Sequence, residues 1–384
     1  MLILVASLVT LLFTPCICSD IIGRWENLTQ SQLSNDSFAN YYRWRGLSGP
    51  NGVRNITELT VSFTAESLCR ALTMRDNCFS HSPSRAESLL RRKFTFQNAE
   101  QDPLLTLSSM RDQYILFSGD SIVLSVYQSF VCHLTQFSNA TYEYVWAYRD
   151  ETILSDSSGQ DKCPGHPSCH LLGGKSYITR YNITIAYQQV NKYQGRVKKT
   201  LHQKLVDRIS QPTFLILNLG AHYNEEENFK RDVHALHTDL LQISEDQRNA
   251  GCRVTHMLWL ESFPQHFPGG AGFYQAAAKH TVPHNQSSLR CEPIADKRKY
   301  FQADWRNRAV ETIMPDLTVN NRIIAVAAPL YDQWDAHVDY GDSLHTPQQP
   351  ADCTHYCLGS GVFRFVVERV LTSIVACLNV GSKA

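Results

Sequence analysis

Short apolar runs alternate with amphipathic stretches along the chain from residue 113 onward. The runs predict buried strands at residues 114–117, 214–220, 254–260 and 323–328, and alternating aromatic and polar residues predict another at 142–148. Helices are predicted at residues 121–134, 225–243 and 363–378. Strands that alternate with helices indicate an α/β fold, in which helices cover both faces of a parallel sheet and functional residues lie at the carboxyl ends of strands.

The first 112 residues have a different pattern. Residues 1–13 are almost wholly apolar, but this stretch is shorter than the roughly 20 residues that cross a bilayer, so residues 1–19 are interpreted as a signal peptide or short signal anchor. Residues 20–112 are polar and irregular, which predicts an N-terminal lobe that wraps the core and is pinned to it by Cys69 or Cys78. Residues 113–384 then form the main domain.

Glycosylation sequons and cysteines both indicate the secretory pathway, in the Golgi lumen or outside the cell. Six Asn-x-Ser/Thr sequons without proline occur, at Asn27, Asn35, Asn55, Asn139, Asn182 and Asn285. An even number of cysteines beyond the leader predicts up to five disulfides, whose pairing the spacing leaves open. These candidates are Cys69, Cys78, Cys132, Cys163, Cys169, Cys252, Cys291, Cys353, Cys357 and Cys377.

Charge and motifs argue against several classes of partner. The chain carries 36 Lys plus Arg and 36 Asp plus Glu, and this balance does not favour a nucleic-acid partner. The Cys163-x5-Cys169 and Cys353-x3-Cys357 spacings lack a second pair at zinc-finger distance, so disulfides are favoured over a metal. The turn-rich residues 155–174 are interpreted as a disulfide-tied loop. No cofactor motif is found.

The first predicted strand ends at Gly119-Asp120-Ser121, directly before a predicted helix. A serine at such a turn has an exposed hydroxyl, and backbone N–H groups point at the carbonyl that it attacks. The same tripeptide recurs as Gly341-Asp342-Ser343, but there it follows a polar stretch and is interpreted as a loop. Ser121 is therefore the candidate nucleophile.

A serine nucleophile requires a base, and the base is oriented by an acid. Asp352 and His355 lie three residues apart in one short cysteine-bounded segment, so both can face Ser121 from one turn. His337 and His345 lie in the same late part of the chain and compete as bases, but neither has an acid in such a loop. The pattern favours a Ser121–His355–Asp352 triad that moves acyl groups through an ester.

Polar residues at the ends of two other strands are candidates for the oxyanion hole and the substrate groove. The Asn218 side chain or the Gly220 N–H contributes to an oxyanion hole in one interpretation, and both belong to a plain strand-to-loop turn in the other. The segment from Glu261 to Phe267, which includes His266, lines an acceptor groove or packs as a loop. Gly119 and Asp120 complete the oxyanion and substrate-binding candidates.

These residues together resemble a known family. Gly119-Asp120-Ser121 and the late Asp-Cys-Thr-His-Tyr-Cys segment at 352–357 are similar to the trichome birefringence-like polysaccharide O-acetyltransferases, within the PC-esterase group of the SGNH/GDSL type. That family's late motif has tryptophan where this chain has Tyr356. After Gly-Asp-Ser the family usually has an Arg-Asn pair a few residues on, where this chain has Val123-Leu124-Ser125.

The resemblance implies a three-layer α/β/α, SGNH-hydrolase-like catalytic domain over residues 113–384. It implies Ser121 as nucleophile, His355 as base and Asp352 as acid, with disulfides at Cys353 and Cys357 that hold the triad loop. The first hypothesis is an O-acetyltransferase that takes acetyl from an unidentified donor to a glycan hydroxyl. The alternatives are an esterase with the same triad and a glycan-binding protein whose site has decayed.

Overall fold

A computed structural model describes the parts of the chain that build the core. These are residues 23–29, 31–32, 88–96, 103–138, 140–148, 169–206, 211–267, 291–319, 322–338, 352–358 and 360–381. The predicted leader, the second Gly-Asp-Ser, the sequons at Asn35, Asn55, Asn139 and Asn285, and the cysteines Cys69, Cys78 and Cys163 lie outside the described residues. So do His345 and residues 155–168 of the predicted loop.

Strands and helices alternate through most of the described chain. The strands are β1 (Gly23–Asn27), β2 (Arg92–Phe96), β3 (Tyr114–Gly119), β4 (Ala140–Tyr148), β5 (Cys169–Ile178), β6 (Ile183–Gln189), β7 (Phe214–Leu217), β8 (His256–Leu260) and β9 (Ile323–Ile324). The helices are α1 (Pro103–Ser109), α2 (Ser121–Thr135), α3 (Gly195–Val206), α4 (Glu226–Asn249), α5 (Lys297–Ala303), α6 (Trp305–Ile313), α7 (Pro315–Val319), α8 (Ala327–Leu330) and α9 (Gly361–Gly381).

Seven of the strands form one sheet in the order β4-β5-β6-β3-β7-β8-β9. The strands from β6 to β9 run parallel, whereas β4 and β5 are antiparallel to their neighbours. The expectation of a parallel sheet is therefore correct for the centre and wrong for one edge. Strand β5 continues directly through a short turn at Asn182 into β6, and such a tight connection joins antiparallel strands.

Alternate residues of the central strands face two separate apolar layers. Ile115 and Phe117 of β3 pack with helices α2 and α9, whereas Leu116 packs with α3, α4 and α6. This alternation is the physical basis of the three-layer α/β/α arrangement, which is confirmed. None of the helices in the described part of the chain is both long and apolar enough to cross a membrane.

Three segments differ from the sequence-based expectation. Residues 169–178 form β5 although 155–174 were predicted as a loop, and no strand was predicted at β6. The run at 323–328 is a strand only over Ile323–Ile324, because the chain turns there into helix α8. The helices α2, α4 and α9 begin within a few residues of their predicted starts.

The described parts of the predicted N-terminal lobe pack against the main domain. Strands β1 and β2 form an antiparallel ribbon, in which the Trp25 ring contacts Phe94 and Phe365. The Trp25 Nε1–H donates to the Pro329 carbonyl at 2.7 Å. Arg92 forms a two-pronged ion pair with Asp335 at 2.5 Å. These contacts attach the ribbon to helix α9 and to the segment that follows β9.

Two of the predicted glycosylation sites lie in the described chain. Asn27 ends strand β1 and Asn182 occupies the turn before β6, and both side chains are exposed. The Asn182 amide donates to Asp112 at 2.6 Å and its oxygen accepts from the Tyr177 hydroxyl at 2.8 Å.

Candidate active site

The turn between β3 and α2 presents Ser121 as the first residue of the helix. Asp120 caps this helix, since one carboxylate oxygen accepts from the Ile122 N–H at 3.0 Å and the other accepts from the Ala221 N–H at 3.0 Å. Gly119 permits the close approach of neighbouring atoms, because a β-carbon there would overlap the Val123 side chain and lie 2.5 Å from the Asn218 carbonyl oxygen. The nucleophile candidate is thus fixed by one glycine and one buried carboxylate.

Two hydrogen bonds join Ser121 to His355 and His355 to Asp352, although the serine and the histidine are 234 residues apart in the chain. The Ser121 Oγ lies 2.7 Å from His355 Nε2, and His355 Nδ1 lies 2.7 Å from an Asp352 carboxylate oxygen. Because the carboxylate only accepts, Nδ1 carries the proton and Nε2 is left to accept from the serine hydroxyl. This is the arrangement that a serine nucleophile requires.

The Asp352 carboxylate is held in its charged form. Burial by itself would raise the pKa of this carboxyl, but the hydrogen bond and charge of His355 outweigh it and lower the pKa below the usual value. The other carboxylate oxygen of Asp352 accepts from the backbone N–H groups of Thr354 and His355, at 3.1 and 3.0 Å. The same four-residue turn therefore fixes both the acid and the base.

A disulfide attaches the triad loop to a distant segment. Cys353 pairs with Cys291, 62 residues earlier in the chain. Cys353 and Cys357 both form disulfides, as expected, but they are not joined to each other, and Cys132 and Cys377 are also disulfide-bonded. The expectation for Cys252 is wrong, because this half-exposed residue in the turn after α4 is a free thiol.

A small pocket adjoins the triad. It is lined among others by Ile122, Asn218, Ser262, Gln265, Arg306 and Thr354. One N–H of the Asn218 amide donates to the Leu260 carbonyl at 2.8 Å, and the second makes only a long contact of 3.4 Å with the Ser262 hydroxyl. Within the described residues, the N–H groups of Ser121 and Gly220 have no acceptor. The two backbone N–H groups are therefore available for an oxyanion, and the Asn218 amide can join them by giving up its long contact with the Ser262 hydroxyl.

Three residues that were predicted to lie near the substrate are buried and do not line the pocket. Gly119 and Asp120 are buried beneath Ser121 and do not line the pocket, because they shape the turn that carries it. His266 is also wrong as a groove residue. Its side chain is fully buried, and its two ring nitrogens face His337 and the Tyr331 carbonyl.

Glu261 also follows a strand without reaching the site. Its carboxylate accepts from the Val326 and Ala327 N–H groups at 2.7 and 2.8 Å, and so caps the start of helix α8. Burial raises the pKa of this carboxyl, although the two backbone donors oppose the shift. This residue joins strand β8 to the segment that follows β9.

A buried group at the start of α6 was missed by the sequence analysis. Arg306 lines the pocket and donates to the carbonyls of Gly220 and Tyr223 at 3.0 and 2.6 Å. Asn307 binds both backbone groups of Ser262, accepting at 2.8 Å and donating at 3.1 Å. The sequence signal was Asp304, a helix-capping residue whose carboxylate accepts from the Arg306 N–H and from the Asn307 amide.

Burial disfavours both charges of this group. It lowers the pKa of Arg306, although Asp304 nearby opposes the shift, and it raises the pKa of Asp304, although Arg306 opposes it. The attraction between the Arg306 and Asp304 charges thus offsets part of the free energy that each charge loses when it is removed from water. Arg306 and Asn307 hold the two loops that follow β7 and β8, and these loops carry Gly220 and Ser262.

A comparison with known protein families identifies the family of this chain. The model of the PC-esterase family, GDSL/SGNH-like acyl esterases found in Pmr5 and Cas1p, matches residues 99–363, which is more than half of the chain. The chain belongs to this family, so the predicted PC-esterase resemblance is confirmed. It is an enzyme of the serine esterase or acyltransferase type. A search of curated proteins returned no match.

Proposed function

We propose that this protein is an O-acetyltransferase of the secretory pathway, which transfers acetyl from a donor to a glycan hydroxyl through an ester on Ser121. One observation carries the proposal: Ser121, His355 and Asp352 are joined by two hydrogen bonds of 2.7 Å beside a pocket with available N–H donors. The resemblance of its late motif at residues 352–357 to that of the trichome birefringence-like transferases supports the choice of acetyl groups and glycans.

Acylation begins when the Ser121 oxygen attacks the carbonyl carbon of the donor. Its proton passes to His355 Nε2, 2.7 Å away, and the resulting imidazolium is stabilised by Asp352. The oxyanion accepts from the N–H groups of Ser121 and Gly220 and from the Asn218 amide. When the intermediate collapses, His355 returns the proton to the leaving group, and acetyl-Ser121 remains.

The second half of the reaction decides between a transferase and an esterase. An acceptor hydroxyl or a water molecule gives its proton to His355 and attacks the acetyl carbonyl, and Ser121 leaves with that proton. The chemistry on the protein side is identical in both cases. The nucleophile that the pocket admits makes the difference, and the polar side chains of Gln265 and Arg306 suit a sugar hydroxyl.

Covalent trapping tests the nucleophile. The purified, glycosylated protein is incubated with an activated acetyl ester, and peptide mass spectrometry maps the adduct. We expect acetyl on Ser121 in the wild type and none in His355→Ala. Ser343→Ala is the matched control, because it removes the serine of the other Gly-Asp-Ser and should leave the adduct unchanged. An adduct elsewhere, or none in folded wild type, contradicts the proposed triad.

Product analysis then separates the alternatives. Acetylated glycan that forms only when acceptor is present supports the transferase, whereas free acetate as the sole product with and without glycan supports the esterase. A decayed glycan-binding protein predicts that Ser121→Ala changes no measurable property. Localisation by glycan-sensitive mobility shift tests the secretory assignment, since glycans on Asn27 or Asn182 require passage through the secretory pathway.

A further inference from the structure

His266 and His337 form a fully buried pair beneath the triad loop. His266 Nδ1 lies 2.8 Å from His337 Nε2. The far nitrogens face backbone carbonyls: His266 Nε2 lies 3.1 Å from the Tyr331 oxygen, and His337 Nδ1 lies 3.0 Å from the oxygen of His355. The pair therefore reaches from the segment after α8 to the backbone of the predicted catalytic base.

Two neutral rings have too few N–H groups to make all three of these contacts hydrogen bonds. A carbonyl oxygen only accepts, so each outer contact requires an N–H, and the central contact requires a third. Two neutral imidazoles carry two N–H groups in total. Burial lowers the pKa of His266 to about 4 and that of His337 well below its usual value, so the rings are neutral near pH 7. One of the three contacts must lack its proton.

Charged groups near the pair do not supply the missing proton. The negative charges of Asp332 and Asp335 favour protonation of His266, but Asp332 is paired with Lys297 at 2.6 Å and Asp335 with Arg92 at 2.5 Å. Asp352 likewise favours protonation of His337 and is engaged by His355, whose own charge opposes it. Burial outweighs these effects.

Tyr356 indicates which contact lacks the proton. Its hydroxyl donates to the Pro264 carbonyl at 2.8 Å, so its oxygen can only accept from His266 Nδ1, 3.4 Å away. A proton on His266 Nδ1 serves both this oxygen and His337 Nε2. The proton of His337 is then on Nδ1, and the unprotonated nitrogen faces Tyr331 across 3.1 Å, the longest of the three contacts.

We propose that both buried rings adopt the Nδ1–H tautomer, and that His337 is a positioning residue whose Nδ1–H holds the backbone carbonyl of His355. The Val338 N–H donates to the same carbonyl at 2.9 Å, so the base is held from two sides. This holds His355 Nε2 in line with Ser121. The catalytic consequence rests on the proposed function, whereas the tautomer assignment does not.

The catalytic consequence is tested with two amide variants of His337. In His337→Asn the amide nitrogen replaces Nδ1 and can donate to His355, whereas in His337→Gln the amide replaces Nε2 and reaches only His266. We expect His337→Asn to keep kcat within about threefold of the wild type. His337→Gln should lose about 100-fold in kcat at unchanged KM, since a misplacement of about 1 Å costs roughly this factor.

A merely structural role gives a different result. It predicts that both variants lose thermal stability together and that kcat per folded molecule is unchanged in both. That outcome overturns the positioning role, as does a larger kcat loss in His337→Asn than in His337→Gln. Unfolding temperatures of both variants are measured in parallel, so that activity is compared only between folded proteins.

Nitrogen NMR of wild-type protein with ¹⁵N-labelled histidine tests the tautomer directly, whether or not the protein turns over an acyl substrate. At neutral pH we expect protonated Nδ1 and unprotonated Nε2 signals for both buried rings, assigned by their loss in His337→Asn and His266→Asn. A protonated Nε2 on His337 overturns the proposal. If the tautomer is found but no acyl substrate is turned over, the proposed function fails and the assignment stands.

Discussion

Replacing Arg306 by alanine should weaken both the fold and the reaction. This guanidinium donates to the Gly220 and Tyr223 carbonyls at 3.0 and 2.6 Å, and the Gly220 carbonyl also accepts from the Tyr223 N–H at 3.0 Å. It also lies 4.3 Å from the centre of the Trp305 ring. Without it, the loop that follows β7 loses both of these side-chain contacts and keeps the bond from the Ala221 N–H to Asp120 and the bond from the Tyr223 N–H to the Gly220 carbonyl.

The magnitude follows from the two hydrogen bonds. A hydrogen bond to a charged group contributes about 1.5–3 kcal/mol, so two give roughly 3–6 kcal/mol. The arginine also pays for burial of its charge, as its lowered pKa indicates, and this offsets part of the gain. We expect a net loss of about 2–4 kcal/mol of unfolding free energy. Displacement of the Gly220 N–H by about 1 Å should lower kcat about 100-fold.

Arg308→Ala is the matched control, because Arg308 lies on the same helix, is exposed and makes one 3.3 Å contact with the Asp304 carbonyl. It should change stability by no more than about 0.5 kcal/mol. Denaturant unfolding and acetyl-ester hydrolysis are measured on wild type and both variants. If Arg306→Ala matches Arg308→Ala in both assays, Arg306 does not hold the loop that follows β7 and carries Gly220.

Four further outcomes are expected. Asp352→Asn should lower kcat by about 10⁴ with the fold intact, because the asparagine amide favours the wrong tautomer of His355; a loss below tenfold would refute this role. Since the folded pKa of Asp352 is lowered, its contribution to stability is present above pH about 4 and is lost as pH falls further, so acid titration should bring wild type and Asp352→Asn together. Gly119→Ala should destabilise the protein by about 1–3 kcal/mol or more through overlap with Val123, and an unchanged melting temperature would contradict this geometry. Replacing Cys291 and Cys353 by serine opens a link across 62 residues and should cost about 4 kcal/mol in denaturant unfolding; wild-type stability in this variant would show that the link contributes nothing.

The sequence predicted those parts of the site that depend on the order of apolar and polar residues within one short segment. An apolar run that ends at Gly119-Asp120-Ser121 before a helical stripe specifies a strand, a turn and a helix without reference to the rest of the chain. The Asp352–His355 turn is equally local, since three residues separate acid and base. The class of fold follows from the same patterns repeated along the chain.

The parts that were missed depend on contacts between distant segments. Arg306 begins an ordinary amphipathic helix, and its role is visible only when Gly220, 86 residues away, lies against it. His266 follows a strand end as a functional residue would, but it is covered by His337 and Tyr356 from the end of the chain. Strand β6 pairs in parallel with β3 and antiparallel with β5, but its sequence lacks the continuous apolar run by which the other central strands were predicted.

The 234 residues between Ser121 and His355 have a consequence for how the protein is made. A ribosome adds about 5–20 residues per second, so Ser121 emerges roughly 10–50 s before its base exists. During that interval the strand, turn and helix around Ser121 can form, but the hydroxyl is an ordinary alcohol. In the proposed mechanism, Ser121 therefore becomes reactive only when the 352–355 segment has been synthesised and has folded back onto the sheet, and a chain that stops short of this segment does not acylate itself or its surroundings.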